Sequence, residues 1–416
     1  MREGKMAERV ERKERKPELR FKGFDGEWEE CKLDSLVGKI SGGGTPSTTN
    51  EEFWNGTIPW LQSSDFREDR VFEVTPRKFI SKNALRSSPA KLIPKKSIAV
   101  VTRVGVGKLS IIPYDYTTSQ DILSLSDINR NELFVVYSLY YKLKREIGLV
   151  QGTAIKGITK EDLISKKLSV AQSLNEEEVI GSFFTLLDTL ITHQQHKYDQ
   201  LQNLKKAMLE KMFPRNGADV PEIRFKGFEG AWEYREFGEV FYEYSEKDCD
   251  DLPPLMIIQG GGTILREKSD RNLMYNKENL SHYKLVNEGD FIVHLRSFEG
   301  GLELATNTGI ISPAYHTFHG ENIDSKFYYS YFRSKRFIDV DLNPHVYGIR
   351  DGRSIDIKGM KSIKIPFTNY EEQKAIGEFI DSIDNLISHQ QKKLEHLKHL
   401  KAALLDKMFV SDGATA

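Results

Sequence analysis

Two cysteines in 416 residues, Cys31 and Cys249, are too few and too far apart for a disulfide framework or a Cys-rich zinc site. Neither belongs to a C-x-x-C pair, and such scarcity points to a reducing compartment, the cytoplasm. Also missing is any apolar run near the roughly 18–20 residues that span a bilayer, so no membrane partner is expected. The opening stretch, MREGKMAERVERKERKPELR, is charged throughout and lacks the apolar segment of a signal peptide. The chain as a whole has no charge of one sign either: 60 Lys+Arg stand against 61 Asp+Glu, a net charge of −1. It is not disordered, because 39% of its residues are hydrophobic and 11% aromatic.

Catalytic signatures are missing as well. VGVGKL (Val104–Leu109) has Thr102 where a phosphate loop needs its first glycine, and no Ser or Thr follows the lysine. Asp251-Leu252-Pro253-Pro254 approaches the Asp-Pro-Pro-aromatic motif of amino-methyltransferases, but a leucine is inserted and the aromatic is absent. Asp356-x-Lys358 and Glu11-x-Lys13 are nuclease-like fragments that chance supplies in a chain this charged. The pairs His193/His196, His316/His319 and His396/His399 have metal-ligand spacing, but two of them fall on helices where i, i+3 polar residues form a solvated face. No Ser/His/Asp arrangement occurs. The expectation is a binding protein with no catalytic residue, metal or cofactor of its own.

What is there is a repeat. PELRFKGFDGEWE (Pro17–Glu29) returns as PEIRFKGFEGAWE (Pro221–Glu233), at an offset of 204. Residues 181–213 return at 377–409 at an offset of 196, both segments ending in Lys-Met-Phe. Between these markers the sequences diverge. The order is therefore marker, variable body, helix, and the same again. Charge must be counted by body. Residues 35–170 hold 20 Lys/Arg and 13 Asp/Glu, an excess of seven cations. Residues 235–365 hold 17 and 20, an excess of three anions. The first body has the electrostatics of a polyanion binder. In the second, much of the acid sits between Glu243 and Asp251, and a basic face elsewhere stays open.

The repeated segments have heptad spacing. In the first, Phe183, Leu187, Leu190, Gln194, Lys197, Leu201, Leu204 and Met208 alternate steps of four and three. The second gives Phe379, Ile383, Leu386, Gln390, Lys393, Leu397, Leu400 and Leu404. Both seams turn polar at His-Gln-Gln-x-Lys, which pins register. A helix from about 175 to 213 would be about 58 Å long at ~1.5 Å per residue, and it and its repeat are expected to pair antiparallel as a spacer. The alternative is a plain oligomerisation helix.

Both bodies read as α+β, with strands and helices near 131–146 and 324–338. Body one opens on SGGGTPSTTN and FWNGTIPWLQSSDF, where glycines allow close backbone approach. Arg103 and Arg296 each leave a strand just before a glycine turn, a placement that suits bidentate contact to guanine or phosphate. An ordinary surface or ion-paired arginine is the equal alternative. Both bodies end on a glycine-bearing basic loop holding Lys156 in one and Tyr347, Arg350 and Arg353 in the other.

Taken together, FKGFDGEWE and FKGFEGAWE, GGGTPSTTNEEFWNGTIPWLQSSDF, VVTRVGVGKL, YEEQKAIGEFIDSIDNLI, and the endings LKKAMLEKMF and LKAALLDKMF resemble the specificity subunit of type I restriction-modification enzymes. The first copy departs at Glu176-Glu177, where the second has Glu372-Gln373. The resemblance implies two target-recognition domains in pseudo-two-fold arrangement, each reading half of a split DNA target, separated by two antiparallel coiled-coil helices. The expected layout is a charged tail 1–16, recognition domain 17–173, spacer helix 174–215, recognition domain 216–368, spacer helix 369–410 and tail 411–416. Expected DNA-contacting residues are Thr45, Ser63, Ser64, Arg103, Lys108 and Lys156 in the first body, and Thr263, Arg266, Arg296, Tyr347, Arg350 and Arg353 in the second. The resemblance further implies partners: double-stranded DNA, two methyltransferase subunits and two restriction/translocase subunits. S-adenosylmethionine, ATP and Mg would belong to those partners. Competing readings are a stand-alone nucleic-acid enzyme, which turnover by the isolated chain would reveal, and a scaffold that binds no DNA.

Overall fold

The computed structural model describes residues 15–149, 157–215, 217–268, 277–294, 296–348 and 354–410. The chain divides into two compact units, one formed by residues 1–195 with 393–416 and the other by 196–392. Each unit is α+β, and each contains the same frame. In the first, an antiparallel sheet runs in the order Val37–Gly42, Ile122–Ile128, Ser97–Val101, Leu109–Ile112. In the second, the corresponding order is Phe241–Tyr244, His316–Gly320, Phe291–Val293, Glu303–Leu304. A two-stranded ribbon closes each unit: Glu29–Lys32 pairs with Lys167–Val170, and Glu233–Glu236 with Lys364–Phe367.

The central strand of the first sheet, SIAVV, is apolar without alternation because both of its faces are covered. Ile98 and Val100 enter the main core, while Ala99 and Val101 join a second cluster with Leu61, Phe66 and Tyr116. The helix Glu132–Leu149 lies on the main-core side and extends past the expected 131–146. Its counterpart, Ser325–Phe332, is shorter than the expected 324–338. There the Ser334 hydroxyl accepts from Phe337 N at 3.2 Å, and the next turn, Phe337–Leu342, is a wider π-helix.

The long helices cover Leu174–Lys211 and Tyr370–Met408. Neither contains proline, and each contains one glycine near its start, so propensity opposes them nowhere in their interiors. Each helix contributes to both units. The first half of the first helix packs in unit one together with the last half of the second, and unit two receives the complementary halves. In unit one the directions are antiparallel. Phe184 meets Phe409 with ring centroids 5.7 Å apart, and Asp188 meets Lys401 at 2.6 Å. The repeat-equivalent pair in unit two is Asp384 with Lys205, also at 2.6 Å.

The buried stripe corrects the seam read from the leucines. Leu187, Gln194, Ile383 and Leu394 are buried, and Leu201, Gln390 and Leu397 are half-buried. Leu190, Leu204, Leu386 and Leu400 instead stand 45, 41, 50 and 40% exposed. Their places are taken one residue on, by Ile191, Lys205, Ile387 and Lys401. At 190–191 and 386–387 two neighbouring apolar residues compete for one inward position, and the β-branched one occupies it. At 205 and 401 a lysine wins because a buried or half-buried aspartate on the opposing helix pairs with it, which periodicity cannot register.

The repeated markers have a packing function. Arg20 makes a bidentate pair with Glu176, both contacts at 2.7 Å, and donates to the carbonyls of Asp25 and Gly26. Arg224 does the same with Glu372 at 2.6 and 2.8 Å, and with the carbonyls of Glu229 and Gly230. One arginine thus ties its own turn to the first turn of a long helix, where a carboxylate also complements the helix dipole.

The departure at Glu177 has a physical cost. Gln373 donates to Thr368 O and accepts from Asp324 N, using both ends of its amide. Glu177 is fully buried, and burial pushes its carboxyl above the ordinary range despite the backbone N–H of Asn131 and nearby Arg130. A raised folded-state pKa means the native protein holds its proton to higher pH than the unfolded chain does. The stability it carries is full below about pH 4 and is lost as pH rises through the folded value. Glu177→Gln, the residue found in the second copy, is therefore expected to raise the melting temperature at pH 7 by about 2 °C. The gain should vanish near pH 4; a gain independent of pH would show that charge is not its origin.

Candidate nucleic-acid interface

In unit one, four segments distant in sequence converge on the turn Ser119–Asp121. Gly44 N donates to Thr118 O at 2.8 Å, and a Cβ on Gly43 would lie 2.1 Å from Ser119 O, so only glycine fits there. Thr45 donates to the Gln120 side chain at 2.7 Å. Ser119 N donates to Leu61 O, two residues before Ser63. Thr102 N donates to Asp121 O, and the Arg103 guanidinium lies 3.9 Å from the Asp121 carboxylate. Ile158 N donates to Thr102 O, bringing in the segment that follows Lys156. Thr45, Ser63 and Arg103 are therefore gathered at one end of the sheet.

Arg103 is the accessible cation of this group, its side chain 65% exposed. It sits at the tip of the hairpin between Ser97–Val101 and Leu109–Ile112, whose turn uses Gly105 and Gly107 at φ +87° and +89°. Ser64 is exposed and accepts from the Gln62 side chain. Lys108 is more enclosed and lies 3.6 Å from Glu68. Lys156 falls outside the described residues. Gln120 and Asp121, at the centre of the convergence, carried no motif; a polar Ser-Gln-Asp between two strands is an ordinary turn until the fold places it.

In unit two the equivalent hairpin joins Phe291–Val293 to Glu303–Leu304, and Arg296 is exposed on it. Arg296 makes no ion pair among the described residues. A second hairpin, Leu255–Ile258 with Gly262–Leu265, turns through Gln259–Gly261 beside it. Glu303 fastens the two together. Its carboxylate accepts from Gly260 N at 2.7 Å and Gly262 N at 3.1 Å, and from Tyr329 and Arg333 of the neighbouring helix. This buried acid had no sequence signal; it reads as one charge in an acidic body.

Two expected contacts change character. Thr263 is 1% exposed, and its hydroxyl accepts from Thr306 N at 3.0 Å and Asn307 N at 3.1 Å. It is a packing residue of the hairpin, corrected from a DNA contact, because both of its polar partners lie inside the unit. Arg266 is half-buried, with Nη1 3.4 Å from the Tyr283 hydroxyl. Tyr347 is 59% exposed on a separate ribbon, Val346–Tyr347 with Ser354–Ile355. Arg350 and Arg353 fall outside the described residues.

Of the histidine pairs, His316 bonds to Glu243 and His319 to Asp290, so the two imidazoles are held in separate hydrogen bonds. His193, His196, His396 and His399 are exposed on the long helices. No group of three His, Cys, Asp or Glu among the described residues has metal-binding geometry. No helix among them is long and apolar enough to cross a membrane.

The two units share one sheet order, and the same strand-to-strand connection holds Arg103 at a glycine turn in one and Arg296 as the N-cap of the short helix Ser297–Gly300 in the other. The model of the type I restriction modification DNA specificity domain matches residues 25–203 and again 230–399. The chain belongs to that family. It is 24% identical over 408 residues to the type I restriction enzyme MjaVIII specificity subunit of Methanocaldococcus jannaschii, covering 91% of each chain. It is 31% identical over 182 residues to the EcoR124I/EcoR124II specificity subunit of Escherichia coli, a match spanning 41% of this chain and 43% of that one. Among solved structures, the S subunit of a type I restriction-modification system from M. genitalium superposes with a TM-score of 0.56 at 14% identity, covering 95% of this chain and all of that one. A chain from a structure of the type I R-M system gives 0.50 at 15% identity, with 92% and 97% covered. At these identities the structural likeness speaks for the fold.

Proposed function

We propose that this specificity subunit reads a bipartite DNA target, one half per unit, and directs the chemistry of partner subunits while performing none itself. The observation that carries this is a shared position: Arg103 and Arg296 leave equivalent strands of two sheets with the same strand order, one into a glycine turn and the other into a short helix. Two copies of one reading device, in bodies otherwise divergent, suit two different half-sites on a duplex whose backbone has local two-fold symmetry. Arginine is the side chain best shaped for guanine O6/N7, and the pairing discriminates by about 1–3 kcal/mol.

The long helices set the gap between half-sites and dock two methyltransferase subunits, with two restriction/translocase subunits completing a cytoplasmic complex. S-adenosylmethionine, ATP and Mg act in those partners. A groove between Phe21 and the first long helix, where Val179, Phe183 and Leu186 lie beside Asn175, Glu178 and Ser182, supports docking there, since Leu186 is 61% exposed at its edge.

The test is the methylated motif of the chain assembled with its partners. Arg103→Ala is expected to relax base preference in one half-site only, and Arg296→Ala in the other, each costing about 1–3 kcal/mol. Methylome sequencing of each variant reads both halves at once. Uniform weakening on all DNA would reassign the residue to a phosphate, and relaxation of both halves by one variant would overturn the one-unit, one-half assignment.

A further inference from the structure

The second unit contains a cleft of about 620 Å³ between the end of the first long helix and the turn that follows the helix Ser325–Phe332. Six cations line it. Lys205, Lys206 and Arg215 come from one wall, and Arg333, Lys335 and Arg336 from the other. Glu210 is the one acid in the lining. Four of the cations have partners: Lys205 pairs with Asp384, Arg215 with Glu222 at 3.0 Å, and Arg333 with Glu303 at 3.1 Å, while Arg336 donates to Pro214 O at 2.5 Å. Lys206 and Lys335 make no ion pair among the described residues.

The floor says what the cleft does not take. Phe213 and Tyr331 are already packed against each other at 5.5 Å and are 5 and 2% exposed. Neither offers a ring face to a base or to an apolar side chain. The six cations are the groups that the cleft presents to a ligand's charge.

The charge balance says what it takes. The body 35–170 carries an excess of seven cations, and the body 235–365 an excess of three anions. Both halves of a duplex present the same phosphates, so a reader of the second half needs a cation excess that its own body as a whole lacks. The cleft gathers three of that body's own cations, Arg333, Lys335 and Arg336, and adds Lys205, Lys206 and Arg215 from the sequence preceding it. The repeat positions of Lys206 and Arg215 in the other copy are Ala402 and Ser411. These two cations have no charged counterpart in the other copy, whose body is already basic.

We propose that this cleft binds the phosphodiester backbone of DNA, so that the spacer helix itself makes a sequence-independent contact for the second unit. The proposal rests on the DNA-reading function above and adds a site to it. The full chain is titrated onto a duplex carrying its motif and onto an unrelated duplex between 50 and 200 mM salt. Lys206→Gln/Lys335→Gln removes the two unpaired, water-facing cations and is expected to leave the melting temperature unchanged. Affinity should fall several-fold on both duplexes, their ratio should hold, and the log–log salt slope should become shallower by about 1–2. Glu210→Gln should tighten both duplexes. An unchanged slope in the double variant, or a loss confined to the motif duplex, overturns the phosphate site. A wild-type chain that binds no duplex, or binds without salt dependence, instead overturns the DNA-reading function.

Discussion

Phe409→Ala is expected to unfold the unit that contains the first variable body, although residue 409 ends the second repeat. The ring lies among Trp28, Phe134, Tyr141 and Phe184, with centroid distances of 6.3, 5.4, 5.9 and 5.7 Å. It is 3% exposed, and truncating a buried phenylalanine costs about 3–5 kcal/mol, a large share of one domain's stability. Phe213→Ala is the mirror experiment. That ring packs on Trp232, Phe327 and Tyr331 at 6.1, 5.0 and 5.5 Å, so the second unit should suffer. Urea denaturation followed by hydrogen exchange separates the two. Amides of Ser97–Val101 should lose protection in the first variant and those of Phe291–Val293 in the second. Protection lost in the unit adjacent in sequence, or equally in both, would contradict the exchange of helix ends.

That exchange explains which parts of the fold were legible. The repeats Pro17–Glu29 and Pro221–Glu233 and the Lys-Met-Phe endings stood out because they are the two sides of one contact. Trp28 meets Phe409, and Trp232 meets Phe213. The bodies diverged around this shared frame. Helix identity was legible from periodicity, but the register was readable only in part. Leu187 and Ile383 lie inward as their spacing implies, whereas Leu190 and Leu386 lost to neighbours of equal hydrophobicity. Of the candidate interface, Arg103 and Arg296 were visible because each combines a strand end, a charge and nearby glycines. Glu303 and Gln120 were invisible because their roles are tertiary. One fastens two hairpins, the other meets Thr45 across 75 residues. Thr263 shows the reverse failure: a polar residue in a glycine-rich turn looks like a ligand until Thr306 and Asn307 are found around it.

Inserting seven residues into both long helices is expected to preserve both half-sites and lengthen the gap between them by about three base pairs. The insertion points are the boundaries between the units, after Gln195 and after Lys392. A heptad returns each buried position to the same face, so Ile191, Gln194, Ile387 and Leu394 keep their inward orientation on either side of the added turns. Seven residues add about 10 Å at ~1.5 Å per residue, and at ~3.4 Å per base pair that is roughly three base pairs. The ion pairs Asp188–Lys401 and Lys205–Asp384 each lie wholly within one unit, so neither is broken by lengthening. A seven-residue insertion into one helix alone should instead force a bulge and lower stability. Four-residue insertions in both rotate the stripe as a stutter and should lengthen the gap less. The readout is the methylated motif of the double-insertion protein assembled with its partners. A protein that still modifies DNA with the original gap would remove the helices from the measuring role and leave them as docking surfaces alone.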